Sequence, residues 1–123
     1  MVTMLEQRFD PELDREPVLK RLVETASLYL EDETRETASP AVATWQRNSG
    51  RGTDPISLLI RDSTLGVEAT RTFSRAELEN VDQLETNIIR FWGKILERRS
   101  SARIERLMES LRNDEKLACS SQQ

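Results

Sequence analysis

The sequence predicts an α+β fold: a helix, a three-stranded antiparallel β-meander, then two helices, with the helices packed on one face of the sheet. Three observations predict it. Apolar residues recur at helical spacing over residues 16–32 and again after residue 74. Between those blocks they alternate with polar residues, which is the period of a half-buried strand. The stretches separating the alternating runs are rich in Asn, Asp, Ser and Gly, the residues that turn a chain.

Residues 1–13, where Val2, Leu5 and Phe9 are scattered among charges, read as a flexible or short helical N-terminal arm. A single α+β domain is expected over residues 14–112. Its first helix is EPVLKRLVETASLYLED, Glu16 to Asp32, which sets Val18, Leu19, Leu22, Val23, Ala26, Tyr29 and Leu30 on one broad face. Pro17 suits a first helical turn, where its missing N–H is no loss. The charged run EDETRE, Glu31 to Glu36, loses the pattern, and Pro40 excludes continuation.

The strands follow. AVATWQR, Ala41 to Arg47, is the weakest of the three, with Trp45 assigned to the core. In ISLLIRD, residues Ile56, Leu58 and Ile60 alternate with Ser57, Leu59 and Arg61, and in GVEATRTF residues Val67, Ala69 and Phe73 alternate with Glu68, Thr70 and Thr72. The connection NSGRGTDP, Asn48 to Pro55, reads as a hairpin turn in which Gly50 and Gly52 supply positive backbone angles. A phosphate-gripping loop would need a lysine followed by Ser or Thr and an immediate helix, and a strand follows here instead.

Ser74 and Glu77 have the spacing of a capping box, and Phe73 and Leu78 that of a hydrophobic staple, so the second helix starts at Ser74. Its apolar arc holds Leu78, Val81, Leu84, Ile88, Ile89, Phe91, Trp92, Ile95 and Leu96, with Asn80 a candidate kink. The same wheel places Arg99 at the centre of the arc. A charge there without a partner is not tolerated, so the phase is expected to break near ERRSS. A third helix, capped by Ser100 or Ser101, then carries the stripe Ile104, Leu107, Met108 and Leu111, and a disordered tail is expected over residues 113–123.

Composition excludes more chemistry than it suggests. The 123 residues include no histidine and one cysteine, Cys119, which removes the commonest general base, thiolate metal sites and any intrachain disulfide. The acidic groups of EDETRE and of Glu77 and Glu79 have ordinary readings as a charged linker and a helix start. No enzyme activity, cofactor, metal or small-molecule ligand is expected. No continuous apolar run marks a signal peptide or a membrane span, and the cytoplasm is the expected compartment.

The basic residues Arg90, Lys94 and Arg98 stand at i, i+4 spacing, with Arg103 beyond them and Arg51 in the hairpin. Together they are candidate phosphate contacts. They lie opposite the apolar arc, however, Glu97 and Glu105 interrupt the field, and the net charge is −4, so a solvated helix face is the simpler account. The helix–three strands–helix order is shared with double-stranded RNA-binding domains, but the acidic helix start SRAELENVD would repel phosphates where those domains need lysines. The favoured expectation is therefore a non-catalytic intracellular protein–protein interaction module. Its candidate interface is Ile104, Leu107, Met108 and Leu111, closed by pairing as a homodimer. The alternative is a nucleic-acid-associated protein using the arginines.

Overall fold

The computed structural model describes residues 5–35, 40–48 and 54–121, with side chains up to residue 114. In chain order the elements are β1 (Leu5–Phe9), a 3-10 turn (Pro11–Arg15), α1 (Pro17–Thr34), β2 (Ala41–Arg47), β3 (Ile56–Asp62), β4 (Glu68–Phe73), α2 (Arg75–Glu79) and α3 (Val81–Ser121). The α+β class and the antiparallel run of β2, β3 and β4 agree with the sequence reading.

The sheet has one strand more than the meander. Its order is β1-β2-β3-β4, and β1 pairs parallel with β2, from Leu5 opposite Ala41 to Phe9 opposite Trp45. In place of a flexible or short helical arm, Leu5–Phe9 is thus a strand, joined to β2 through α1. Two side chains explain why it docks. Leu5 is buried, and Gln7 links three elements: its Oε1 accepts a hydrogen bond from Trp45 Nε1 at 2.9 Å, and its Nε2 donates to Ser27 O at 3.1 Å. Burying the Trp45 ring needs an acceptor for the indole N–H, and Gln7 supplies it.

The alternation predicted for the strands is observed. Ala41, Ala43 and Trp45 of β2, Ile56, Leu58 and Ile60 of β3, and Ala69 and Phe73 of β4 are buried in one cluster with Leu19, Val23, Ala26 and Leu30 of α1 and Leu84, Ile88, Phe91, Trp92 and Ile95 of α3. Trp45 and Phe73 meet with ring centroids 6.1 Å apart. Two residues assigned to the buried arcs, Val18 and Val81, are instead exposed. Each stands in the first turn of its helix, before the helix comes under cover.

The helix start at Ser74 is as expected. Glu77 N donates to Ser74 Oγ at 3.1 Å, and Ser74 N donates to Glu77 Oε1 at 3.0 Å, so both halves of the capping box are present. The chain then breaks at Asn80, whose extended backbone ends α2, and whose carbonyl and side chain accept from Leu84 N and Gln83 N to start α3. The break expected near ERRSS does not occur. The α3 helix runs unbroken for 41 residues, about 60 Å at 1.5 Å per residue, and so carries through the expected third-helix start and the expected disordered tail. The reason lies at Arg99.

Candidate functional site

Arg99 does sit in the buried arc, and it has the charge partner that the sequence reading left out. Its Nε lies 2.9 Å from Asp62 Oδ2, with both side chains almost wholly buried. The N–H is not aimed at that oxygen, so the pair is a close charge contact rather than an aligned hydrogen bond. Asp62 is placed by the strand period: it continues the inward row Ile56, Leu58, Ile60. Its other oxygen, Oδ1, accepts from Thr64 N and Leu65 N, both at 2.9 Å, and Gly66 closes the turn with φ of 68° and a hydrogen bond to Asp62 O. One carboxylate therefore holds the β3–β4 turn with one oxygen and α3 with the other.

Neighbouring arginines extend that grip. Arg98 Nη1 donates to Glu68 O at 2.6 Å, and Arg106 Nη2 donates to Thr64 O at 3.3 Å. Arg98 of the basic row, and Arg106 further along α3, are thus committed to backbone carbonyls of the hairpin. Of the predicted phosphate contacts, Arg90, Lys94 and Arg98 line one groove between α3 and β4, together with Arg71, which the sequence reading did not single out. Arg103 does not line it, and Arg51 lies outside the described residues, as do Gly50 and Gly52 of the NSGRGTDP connection. The ends of that connection are closed by Asn48 N donating to Pro55 O at 2.8 Å and Ser57 Oγ donating to Asn48 Oδ1 at 2.8 Å.

The groove measures about 330 Å³ and also presents Ala69, Thr70, Asn87 and Phe91. Arg71 is anchored there twice, with its guanidinium 4.3 Å from the Phe73 ring centroid and 2.8 Å from Glu77 Oε2. Burial raises the Glu77 carboxyl, but the Ser74 amide and Arg71 outweigh it and hold the group below its ordinary value.

A second surface lies along α3. From Ser100 to residue 114 no side chain is buried, and only Ala102 is half-buried. The stripe Ile104, Leu107, Met108 and Leu111 is exposed at 57%, 62%, 48% and 54%, so no described residue of the chain buries it. Ile89 and Leu96, assigned to the core arc, are exposed as well, at 43% and 42%. They belong to the same line. Ile89, Leu96, Ile104, Leu107 and Leu111, with Gly93 and Ser100 between them, follow at spacings of three and four residues, interrupted once where two fours adjoin at Ser100. That is the spacing of a coiled-coil seam with one stutter. Nothing lies within 4 Å of the position a Cβ on Gly93 would take.

Among the described residues no group of three or more His, Cys, Asp or Glu is placed to hold a metal ion, and no helix is long and apolar enough to cross a membrane. Comparison with known proteins finds no matching family model, curated protein or solved structure.

Proposed function

We propose that the protein is a non-catalytic interaction module that pairs with a second copy of itself through α3. The observation that carries this reading is the line of apolar and small residues that runs from the packed part of α3 onto its projecting part, with every large apolar side chain in it exposed and only Gly93 half-buried. An apolar line of that length is uncommon on a monomer surface.

The line is also self-complementary. An antiparallel pair with Ser100 at its two-fold axis sets Ile89 opposite Leu111, Gly93 opposite Leu107 and Leu96 opposite Ile104, so that a bulky side chain meets the glycine and the remaining apolar residues meet one another. Met108 flanks the seam and would cover its edge. The phosphate-binding alternative has less support, because Arg98 and Arg106 already serve hairpin carbonyls and the whole chain carries a charge of −4.

The test is mass in solution. Leu107→Glu with Leu111→Glu is expected to halve it while leaving the helix and strand signal in place, since both side chains are exposed in the single copy. Gly93→Leu tests the register separately. It has open space in the single chain, so it should fold normally yet weaken pairing, because Leu107 of the second copy would occupy that space. A protein that remains monomeric at high concentration refutes the reading.

A further inference from the structure

We infer that the free edge of β4 and the cationic wall of α3 together form a docking site for an acidic segment of a partner protein, bound in extended conformation as a fifth strand. β4 is the last strand of the sheet. Asp62 N donates to Val67 O at 2.7 Å, and the antiparallel register continues from that pair, so residues 67, 69, 71 and 73 turn their backbone groups toward β3. Glu68, Thr70 and Thr72 turn theirs outward. The positions of Arg98, donating to Glu68 O, and Arg71, donating to Thr72 O, agree with this, because both guanidiniums approach from outside the sheet. These arginines occupy the outward carbonyls of Glu68 and Thr72, and between them the register leaves the N–H and C=O of Thr70 as the part of the edge that can template another strand.

The chemistry of the occupant follows from what flanks the edge. A strand laid along β4 would send every second side chain toward the helix side of the sheet. There it would meet the groove of Arg71, Arg90, Lys94 and Arg98. Arg90 and Lys94 are exposed and make no ion pair among the described residues, and Glu77, bonded to Arg71, is the one carboxylate paired with a groove cation. On the opposite side the same strand would meet Glu68, Thr70 and Thr72, where a carboxylate gains nothing. The site therefore suits a segment with acidic residues at alternate positions. A second copy of this chain is disfavoured as occupant, because pairing β4 with β4 would bring two cationic walls together. A long polyanion is disfavoured by the net charge of −4.

The probe is a short fluorescein-labelled peptide alternating glutamate and valine, followed by fluorescence anisotropy at low salt. Saturable binding is expected, weakened by roughly tenfold or more in Arg90→Glu with Lys94→Glu, whose exposed side chains leave the fold unchanged. Methylating the amide nitrogens on one edge of the peptide should abolish binding, and so should Thr70→Pro, which removes an outward N–H that β3 does not use. Circular dichroism checks that the Thr70→Pro protein is folded, and the methylated peptide carries the same test without any change to the protein. The inference fails if no saturable binding occurs, if the methylated peptide binds equally well, or if oligothymidylate displaces the peptide, which would indicate general polyanion attraction.

Discussion

The two halves of α3 obey opposite rules. In the half that lies on the sheet, up to Arg99, the residues Leu84, Ile88, Phe91, Trp92 and Ile95 are buried with a charge among them, and only Val81, Ile89 and Leu96 of its apolar arc stay exposed. In the half that projects, from Ser100, four large apolar residues face solvent. The helix is continuous across the boundary, so the difference is not one of local conformation. What changes is the surroundings: past Arg99, which meets Asp62, no side chain up to residue 114 is buried, although Arg106 still reaches the β3–β4 turn at Thr64 O. A buried Arg99 is tolerable because Asp62 is fixed within reach by the turn it holds. An exposed Leu107 has no such compensation within the chain, and this is why the projecting half is read as an interface rather than as a tail.

The largest expected effect comes from breaking the buried pair. Arg99→Met keeps the apolar stem but leaves the Asp62 carboxylate buried and unpaired, which should destabilise the protein by about 3–5 kcal/mol in chemical denaturation. Adding Asp62→Asn removes the stranded charge while keeping an oxygen for Thr64 N and Leu65 N, so the double variant should recover part of the loss. If Arg99→Met alone has no effect, the pair does not hold the helix to the turn.

A pair of matched truncations sharpens the contrast between the halves. Ile95→Ala, at a fully buried position, should cost about 2–5 kcal/mol. Leu107→Ala should change the stability of the single chain by no more than about 0.5 kcal/mol, since its side chain is 62% exposed. Measured at dilutions where pairing is absent, similar costs at the two sites would mean that Leu107 is covered by its own chain.

Much of this contrast was legible in the sequence, and the part that was not has a definite cause. The strand periods located Ile56, Leu58 and Ile60, and the capping box located the start of α2, because both signals are local. The stripe Ile104 to Leu111 was equally legible. The continuity of α3 was not, because the wheel registered Arg99 as a fault without its remedy. The remedy was present in the pattern: Asp62 continues the inward parity of β3, and two inward charges of opposite sign on different elements are a pair to be tested. Strand β1 escaped for another reason. Only five residues long, two of them charged, it takes its conformation from β2, an influence no local period records. The groove at β4 needed the fold as well, since Arg71 and Arg90 are distant in sequence and meet only across the sheet edge.

The smallest expected effects concern the start of the packed half. Ser74→Ala removes the acceptor for Glu77 N and should cost about 1 kcal/mol, read as a shift in the denaturation midpoint. The pH dependence of the same box is smaller and has a definite sign. Glu77 is held below its ordinary value in the folded protein, so it binds a proton less readily there than in the unfolded chain. Its contribution is therefore present in full above the unfolded value and is lost as pH falls through the folded one. Asp10, lowered by the backbone N–H groups of Glu12 and Arg47, and Glu16, lowered by its hydrogen bond from Arg47, act in the same direction. Melting midpoints taken from neutral pH down through the carboxylate range should thus decline, and Glu77→Gln should decline less steeply than the unaltered protein. Glutamine can still accept from Ser74 N, so at neutral pH the variant should lose only the part that the charge and its Arg71 pair contribute, which is the part the unaltered protein loses in acid. An equally steep decline in the variant would assign the acid sensitivity to the other carboxylates and leave the capping box without an electrostatic part.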